Sequence, residues 1–217
     1  MTIRVYDTVN QELLAWIPLT SQRILDVGCG TGVLGQALKK RQKCQVVGIT
    51  HNLSEQEISK NILDESYAWD LEKATWNQLK PFDCVVASHV LEHLRDPAAL
   101  LRSLLTCMSP DAVLIVALPN VVHWRQRWLY LRGQFKYTPG GILDDDHVRF
   151  FDWESAQTLL ESAGFSILKM KSTGNFPLPV VRPWLGPWAR RMDALALRVW
   201  PGLWGDQFVF VCQRSRP

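Results

Sequence analysis

Short hydrophobic runs alternate along the chain with segments of helical periodicity. Four runs rich in Val, Ile and Leu lie between turn residues, at positions 23–27, 45–49, 83–87 and 113–118. Near-continuous apolar strands are typical of a sheet covered on both faces, which requires parallel strands joined by crossover helices. Two later runs, at positions 167–170 and 208–212, predict the last two strands.

Helix end signals lie between the predicted strands. Asp96 and Pro97 provide an N-cap and a first-turn proline for a helix over residues 98–108, and Asp152 caps a helix that Gly164 ends. The alternation of strands and helices predicts a doubly wound α/β fold. A length of 217 residues with 47% hydrophobic content fits a single domain with one substantial core.

Two segments interrupt this alternation, at about residues 120–147 and 176–205, and we expect them to form covers over the domain. Apolar residues recur at helical spacing in both, and arginines occupy the remaining positions: Trp124, Trp128 and Leu131 in the first, and Trp188, Met192, Leu195 and Val199 in the second. A basic amphipathic helix can lie on a membrane surface, but a stripe at this spacing is more often part of a core. Both interpretations stay open.

Charge and cysteine content narrow the class of protein. The chain carries 24 basic and 21 acidic side chains, and a net charge of +3 gives no reason to expect a nucleic-acid partner. The five cysteines are scattered without a C-x-x-C pair, which fits reduced thiols. Neither a secretion signal nor an apolar run of membrane-spanning length is recognisable, so we expect a soluble cytoplasmic protein.

A glycine-rich turn follows the first predicted strand. Gly28, Gly30 and Gly32 occupy alternate positions before a helical pattern, where glycine allows a tight turn and close approach to a ligand. The dinucleotide pattern G-x-G-x-x-G/A fails at Val33, and Thr50 occupies the position where an NAD enzyme has an acid. No Walker G-K-[ST] sequence is present, so NAD and ATP are both disfavoured.

The run ILDVGCGTG resembles motif I of the class I S-adenosylmethionine-dependent methyltransferases. The stretches GITHNLSEQE, DLEKATWNQL, FDCVVASHVLEHLRDP and HVRFFDWESAQTLLESAGF are similar to later parts of that family in the same order. Residues 119–124, 129–137 and 141–151 most resemble its MetW-like and sugar-cluster subgroup. The resemblance implies a mostly parallel seven-stranded sheet with an antiparallel last strand, and S-adenosylmethionine as cofactor.

The resemblance also assigns cofactor-binding positions along the carboxyl edge of the sheet. The ribose of the cofactor is expected beside Thr50 and His51, the adenine beside Asp70 and Leu71, and Ser88 next to the bound cofactor. The residues expected beside the methionine part are Asp26, Gly28, Cys29, Gly30 and Gly32. Thr50 departs from the family, because most relatives place Glu or Asp there to accept hydrogen bonds from both ribose hydroxyls.

Histidines are the expected catalytic residues. The sulfonium donor is already activated, so the protein must hold a small-molecule acceptor in line and take its proton. His93, His123 and His147 all follow strand ends, and histidine is the natural base at neutral pH. We favour His147, whose neighbours Asp144–Asp146 offer carboxylates to orient it. The alternative is a loop that Asp144 and Arg149 fix by pairing.

The sequence HVLEH at residues 89–93 fits the H-x-x-E-H pattern of one group of zinc peptidases. The pattern is short, no third ligand is identifiable downstream, and the segment should turn from strand to loop. We therefore expect no metal site, and a zinc hydrolase is only a minor alternative.

The combined features predict a methyltransferase for a small oxygen or nitrogen acceptor, such as a sugar or an intermediate of cell-envelope or natural-product metabolism. An alternative function is a noncatalytic MetW-like partner of the homoserine acyltransferase of methionine synthesis. Peripheral membrane contact and an acyltransferase partner are further expectations from the sequence.

Overall fold

The computed structural model describes residues 8–177 and 182–215, and within them seven strands form one sheet. The strands are β1 (Arg23–Val27), β2 (Gln45–Thr50), β3 (Glu65–Ala68), β4 (Phe82–Ser88), β5 (Met108–Pro119), β6 (Phe165–Thr173) and β7 (Gln207–Arg214). Their order is β3-β2-β1-β4-β5-β7-β6, and β7 runs antiparallel to both of its neighbours. The other neighbouring pairs are parallel. The predicted fold class is confirmed.

Helices cover both faces of this sheet. They are α1 (Gln11–Trp16), α2 (Val33–Arg41), α3 (Leu53–Ser59), α4 (Pro97–Leu104), α5 (Trp124–Leu131), α6 (Trp153–Ser162), α7 (Arg182–Leu185), α8 (Pro187–Val199) and α9 (Pro201–Trp204). Single 3₁₀ turns lie at Trp76–Gln78, Leu91–His93 and Leu105–Cys107.

The predicted helix starts are confirmed by their capping bonds. The Asp96 side chain accepts from the amide of Ala99 at 2.9 Å, and Asp152 forms a capping box with Ser155. The predicted end of α4 at residue 108 is wrong. The helix stops at Leu104, because a 3₁₀ turn follows and Met108 already belongs to β5.

Two apolar clusters pack against opposite faces of the sheet, which explains the nearly continuous hydrophobic runs. Alternate residues of β1 face opposite sides: Leu25 and Val27 pack with α4 and α6, while Ile24 packs with α1 and α2. All five cysteines lie in the described residues as free thiols, as predicted. Among the same residues, no helix is long and apolar enough to cross a membrane.

The carboxyl ends of β1, β2, β4 and β5 meet at one edge of the sheet. β1 lies between β2 and β4. The connection after β1 leads to β2 on one side, and the connection after β4 leads to β5 on the other side. In doubly wound sheets, a crevice for ligands opens where the strand order changes direction in this way. The residues after these strand ends therefore define the region of the candidate site.

The two predicted cover segments contain helices α5 and α7–α9, and residues 178–181 of the second lie outside the described part. Asn120, fully buried at the end of β5, ties the second segment to the sheet. Its Nδ2 donates to the carbonyls of Gly202 at 2.9 Å and Gly205 at 2.7 Å. Its Oδ1 accepts from the amide of Val122 at 3.1 Å.

Replacing Asn120 with Ala should lower the free energy of unfolding by about 1–3 kcal/mol, because it leaves buried carbonyls without donors. Urea unfolding followed by circular dichroism measures the change. Asn61→Ala removes an exposed amide whose hydrogen bond is to the carbonyl of Glu57, and it should change stability by less than about 0.5 kcal/mol. Equal losses in the two variants would refute the anchoring role of Asn120.

Candidate functional site

The glycine turn after β1 is fixed by backbone contacts on one side and open on the other. The amides of Gly28 and Cys29 both donate to the carbonyl of Ile49, at 2.8 and 2.9 Å. A Cβ at Gly28 would lie 2.4 Å from Cγ2 of Val90, whereas a Cβ at Gly30 would meet no heavy atom within 4 Å. Both glycines have positive φ. Gly30 is therefore the residue of this pair that leaves space for a ligand.

Asp26 lies two residues before the turn with its carboxylate buried. Its Oδ2 accepts no hydrogen bond from any residue that the structure describes. Burial raises the pKa of Asp26 to about 7, because the charged form loses hydration without gaining a partner. A buried carboxylate of this kind is stabilised by a cationic or hydrogen-bond-donating group of a ligand. The residues of the turn thus fit the amino end of the expected cofactor.

The acidic group at the end of β2 comes from a neighbouring helix. Thr50 is buried, and its hydroxyl donates to Oε2 of Glu55 in α3 at 2.6 Å. The same hydroxyl oxygen accepts from the amide of Asn52 at 3.2 Å. Glu55 is only partly buried, and His51 beside it is exposed. The structure therefore adds Glu55, which the sequence analysis missed, to the position expected of the ribose.

Asp70 and Leu71 follow β3, whose last residue, Ala68, pairs with Thr50. The carboxylate of Asp70 lies in solvent, with Lys73 at 2.9 Å, and the hydrogen bond from Lys73 lowers the pKa of Asp70. Trp69 stacks on Tyr67 with ring centroids 4.8 Å apart. This contact packs Trp69 against a residue of β3. The pairing of β3 with β2 therefore places Asp70 and Leu71, the predicted adenine-binding residues, next to the carboxyl end of β2.

The chain leaves β4 through a strained residue. After Ser88, which is partly exposed, His89 has a φ of 54°, rare outside glycine and common at functional sites. Its Nδ1 lies 3.1 Å from Oε1 of Glu92, and its Nε2 lies 2.9 Å from Oε1 of Gln207. Burial lowers the pKa of His89, but the bonds to Glu92 and Gln207 outweigh that effect and raise it overall.

Two predicted catalytic histidines come together beside Glu92. One potential ligand or proton-accepting atom from each of Glu92, His93 and His147 lies within 4.8 Å of the other two. The imidazole centroids of His93 and His147 are 4.7 Å apart. The amides of Val148 and Arg149 both donate to the backbone carbonyl of Glu92 at 2.9 Å. These two bonds hold the loop after α5 against the segment that follows β4.

Backbone carbonyls orient both imidazoles. Nδ1 of His93 lies 3.2 Å from the carbonyl oxygen of Asp146, and Nδ1 of His147 lies 3.1 Å from that of Ile142. A carbonyl only accepts, so each Nδ1 donates and the ring lone pair is on Nε2. Burial lowers the pKa of His147. The bond to Ile142 means that Nδ1 of His147 is held by backbone, where we had expected a carboxylate of Asp144–Asp146.

His123 has a different environment. It is the N-cap residue of α5 and is buried, and within the described chain its Nδ1 has no hydrogen-bond partner. Burial, together with the nearby Arg125, lowers the pKa of His123 to about 4. A neutral imidazole with so low a pKa is a weak base at pH 7. His93 and His147 are therefore better placed to act on an acceptor.

A family model described as a methyltransferase domain matches residues 3–170. Ubiquinone biosynthesis O-methyltransferase of Neisseria meningitidis serogroup C (strain 053442) is 31% identical over 140 residues, which are 58% of this chain and 57% of that protein. The mitochondrial protein of the same name from Bos taurus is 30% identical over 163 residues, covering 69% of this chain and 43% of the relative. The chain thus spans about half the length of these relatives.

Solved structures share the fold. The crystal structure of a SAM dependent methyltransferase from Archaeoglobus fulgidus aligns with a TM-score of 0.66 at 18% identity, covering 94% of this chain and 92% of that one. These comparisons do not show the MetW-like or sugar-cluster subgroup expected from the sequence. The chain belongs to the methyltransferase domain family, and its fold is that of the S-adenosylmethionine-dependent methyltransferases, the class and cofactor predicted from its sequence.

Proposed function

We propose that this protein binds S-adenosylmethionine at the glycine turn and methylates an oxygen atom of an acceptor held beside His93 and His147. The observation that carries the proposal is the buried carboxylate of Asp26, with one oxygen unpaired among the described residues and Gly30 open beside it. An ammonium group would pair with this carboxylate, whose burial is otherwise unfavourable.

The ribose half of the cofactor site rests on Glu55. The Thr50 hydroxyl already donates its hydrogen to Glu55. The Glu55 carboxylate is therefore a stronger hydrogen-bond acceptor for a ribose than the Thr50 hydroxyl. A carboxylate offers several lone pairs, and one oxygen of Glu55 accepts from Thr50 while further acceptor capacity is left for a diol. This arrangement compensates for the missing acid at position 50.

The acceptor half consists of the residues after β4 and before α6. S-adenosylmethionine, when bound, supplies a methyl group already activated for transfer. The chain has to orient the acceptor oxygen and remove its proton, and the lone pairs on Nε2 of His93 and His147 suit that task. The contact between Val90 and Gly28 keeps this segment next to the glycine turn.

An oxygen acceptor is favoured because the two curated relatives are named as O-methyltransferases. The sugar or cell-envelope acceptor and the noncatalytic MetW-like role, with its acyltransferase partner, lack such support and stay predictions from the sequence. The reaction is tested by incubating the purified protein with S-adenosylmethionine and panels of hydroxyl and amine compounds while S-adenosylhomocysteine release is measured. Turnover with amines alone would refute the oxygen acceptor.

We also propose that α8 docks on an anionic membrane surface. Its apolar stripe is exposed, with Trp188 at 63% and Leu195 at 64% exposure, and Trp184 just before the helix is 89% exposed. The stripe residues are Trp188, Met192, Leu195 and Val199, and all four are exposed, so the core packing that their spacing favoured is wrong for this helix. Exposed Arg190, Arg191 and Arg198 supply positive charge on the same helix. Apolar anchors flanked by arginines complement anionic headgroups.

Asp26→Asn should weaken S-adenosylhomocysteine binding at least tenfold and, in the cofactor-free protein at pH 8, raise the free energy of unfolding by about 2 kcal/mol. The raised pKa means that the folded state disfavours the carboxylate, so stability falls as pH rises from the unfolded value toward about 7. Calorimetry and urea unfolding measure the two effects. Asp111→Asn, at an exposed position, is the control, and a destabilised Asp26→Asn protein would contradict the assignment.

Glu55→Gln should weaken S-adenosylhomocysteine binding about tenfold, because a hydrogen bond to a charged group contributes about 1.5–3 kcal/mol. Glu57→Gln changes the neighbouring exposed carboxylate, which pairs with Lys60 on the surface, and should bind with unchanged affinity. Isothermal titration calorimetry measures both. Equal affinities for the two variants would remove Glu55 from the ribose site.

Flotation with vesicles tests the membrane proposal. The protein should float with vesicles that contain phosphatidylglycerol at moderate salt, and the double variant Arg190→Glu/Arg191→Glu should stay at the bottom. Lys40→Glu/Lys43→Glu makes the same change in net charge on exposed lysines at the end of α2 and should still float. Loss of flotation in both double variants, or no flotation at all, would exclude docking through α8.

A further inference from the structure

We propose that Glu92, His93 and His147 form a binding site for a divalent transition metal ion such as Zn²⁺. Imidazole nitrogen and carboxylate oxygen are the ligand types of catalytic zinc sites, and two histidines with one carboxylate leave a coordination position open. The proposal rests on the acceptor half of the proposed function, since the ion would lie where the acceptor oxygen is expected.

The spacing of the three side chains is close to that of a metal site. One potential ligand atom of each lies within 4.8 Å of the others. Ligand atoms bonded to one zinc ion at roughly 2.0–2.2 Å lie roughly 3–4 Å apart. The 4.8 Å limit on the observed spacing lies within about 2 Å of that separation.

The histidines are oriented as zinc-binding histidines usually are. Metal-ligating histidines commonly donate their second ring N–H to a carbonyl or carboxylate, which fixes the tautomer and the ring direction. Both rings have such a bond, from His93 to the carbonyl of Asp146 and from His147 to that of Ile142. The remaining nitrogen of each ring, Nε2, is the lone-pair atom that a metal requires.

Glu92 provides the independent observation. Its side chain has 0% exposure, and one oxygen lies 3.1 Å from Nδ1 of His89. The other oxygen, Oε2, has no hydrogen-bond partner among the described residues. A buried carboxylate oxygen without a partner is unfavourable, and a cation within reach of it removes that cost. The hydrogen bond between His89, which has a positive φ, and Oε1 fixes the orientation of the Glu92 carboxylate.

The fold brings these ligands together through long-range backbone bonds. The amides of Val148 and Arg149 clamp their loop to the carbonyl of Glu92, and the Arg149 side chain donates to the carbonyl of Arg95. A divalent cation at this place would lower the pKa of an acceptor hydroxyl that approached it. With both Nε2 lone pairs bonded to it, the metal would replace the histidine pair in activating the acceptor hydroxyl, whose proton would then be lost to solvent.

Metal binding can be tested without any acceptor. The untagged full-length protein is treated with a chelator, dialysed, and titrated with Zn²⁺ by calorimetry and with Co²⁺ by absorption spectroscopy. One equivalent should bind, with a visible Co²⁺ spectrum that His147→Ala and His93→Ala both abolish. Affinity should fall at least about 100-fold, since loss of an outer partner alone costs about 10- to 100-fold. Glu154→Ala, which removes an exposed carboxylate in α6, should bind like the unchanged protein.

Two further measurements are needed. One shows whether a variant has lost metal binding because it is misfolded, and the other shows whether the proposed cofactor site is wrong. His147→Cys keeps a ligand at this position and should restore Co²⁺ binding with a thiolate charge-transfer band. S-adenosylhomocysteine affinity of the metal-free protein tests the proposed function independently. If that molecule binds but Zn²⁺ does not, or if the His147→Ala protein binds Zn²⁺ normally, the metal site is refuted. If Zn²⁺ binds and S-adenosylhomocysteine does not, the proposed function fails and the metal site stands.

Discussion

The carboxylate of Asp26 is buried near the carboxyl end of β1 with one oxygen unpaired among the described residues, and the proposed site is built around it. The strand that carries it is flanked by β2 and β4, so a parallel ladder on each side fixes the backbone of Asp26. The glycine turn that follows is pinned to Ile49 by two amides. A protein that holds a carboxylate in this way sacrifices stability to bind a cationic ligand.

The same turn connects the two halves of the site. Gly28 has no side chain, and Val90 occupies the space that a Cβ would take. This contact sets the segment after β4 against the cofactor half, with Glu92 and His93 in the following 3₁₀ turn. The clamp from Val148 and Arg149 to Glu92 then adds His147 from a distant loop. The residues that we propose for the cofactor and the acceptor are thus positioned by backbone contacts at one edge of the sheet.

The sequence was sufficient for the features that depend on local physics. Buried parallel strands require continuous apolar runs, and the caps at Asp96 and Asp152 are short-range hydrogen bonds, so both were predictable. The helix before β5 was predicted too long, because the pattern does not distinguish the last helical turn from the 3₁₀ turn at Leu105–Cys107.

The parts of the site that depend on long-range contacts were not predictable from the sequence. Glu55 resembles any surface acid of a helix, and its importance arises from the hydroxyl of Thr50. Glu92 and His147 are far apart in the chain, so the H-x-x-E-H segment showed no third ligand. His147 lies near Glu92 because the amides of the next two residues, Val148 and Arg149, bond the carbonyl of Glu92. The spacing of residues in the sequence does not indicate such bonds. His89, the obvious first ligand of the pattern, instead bonds the carboxylate of Glu92.

The most direct test of this account is the pKa of the Asp26 carboxyl group, measured by ¹³C NMR with and without S-adenosylhomocysteine. We predict a pKa of about 7 in the cofactor-free protein and a clear decrease when the ligand's amino group pairs with the carboxylate. A pKa near the ordinary value of 3.8 without ligand, or a raised pKa that the ligand leaves unchanged, would contradict it.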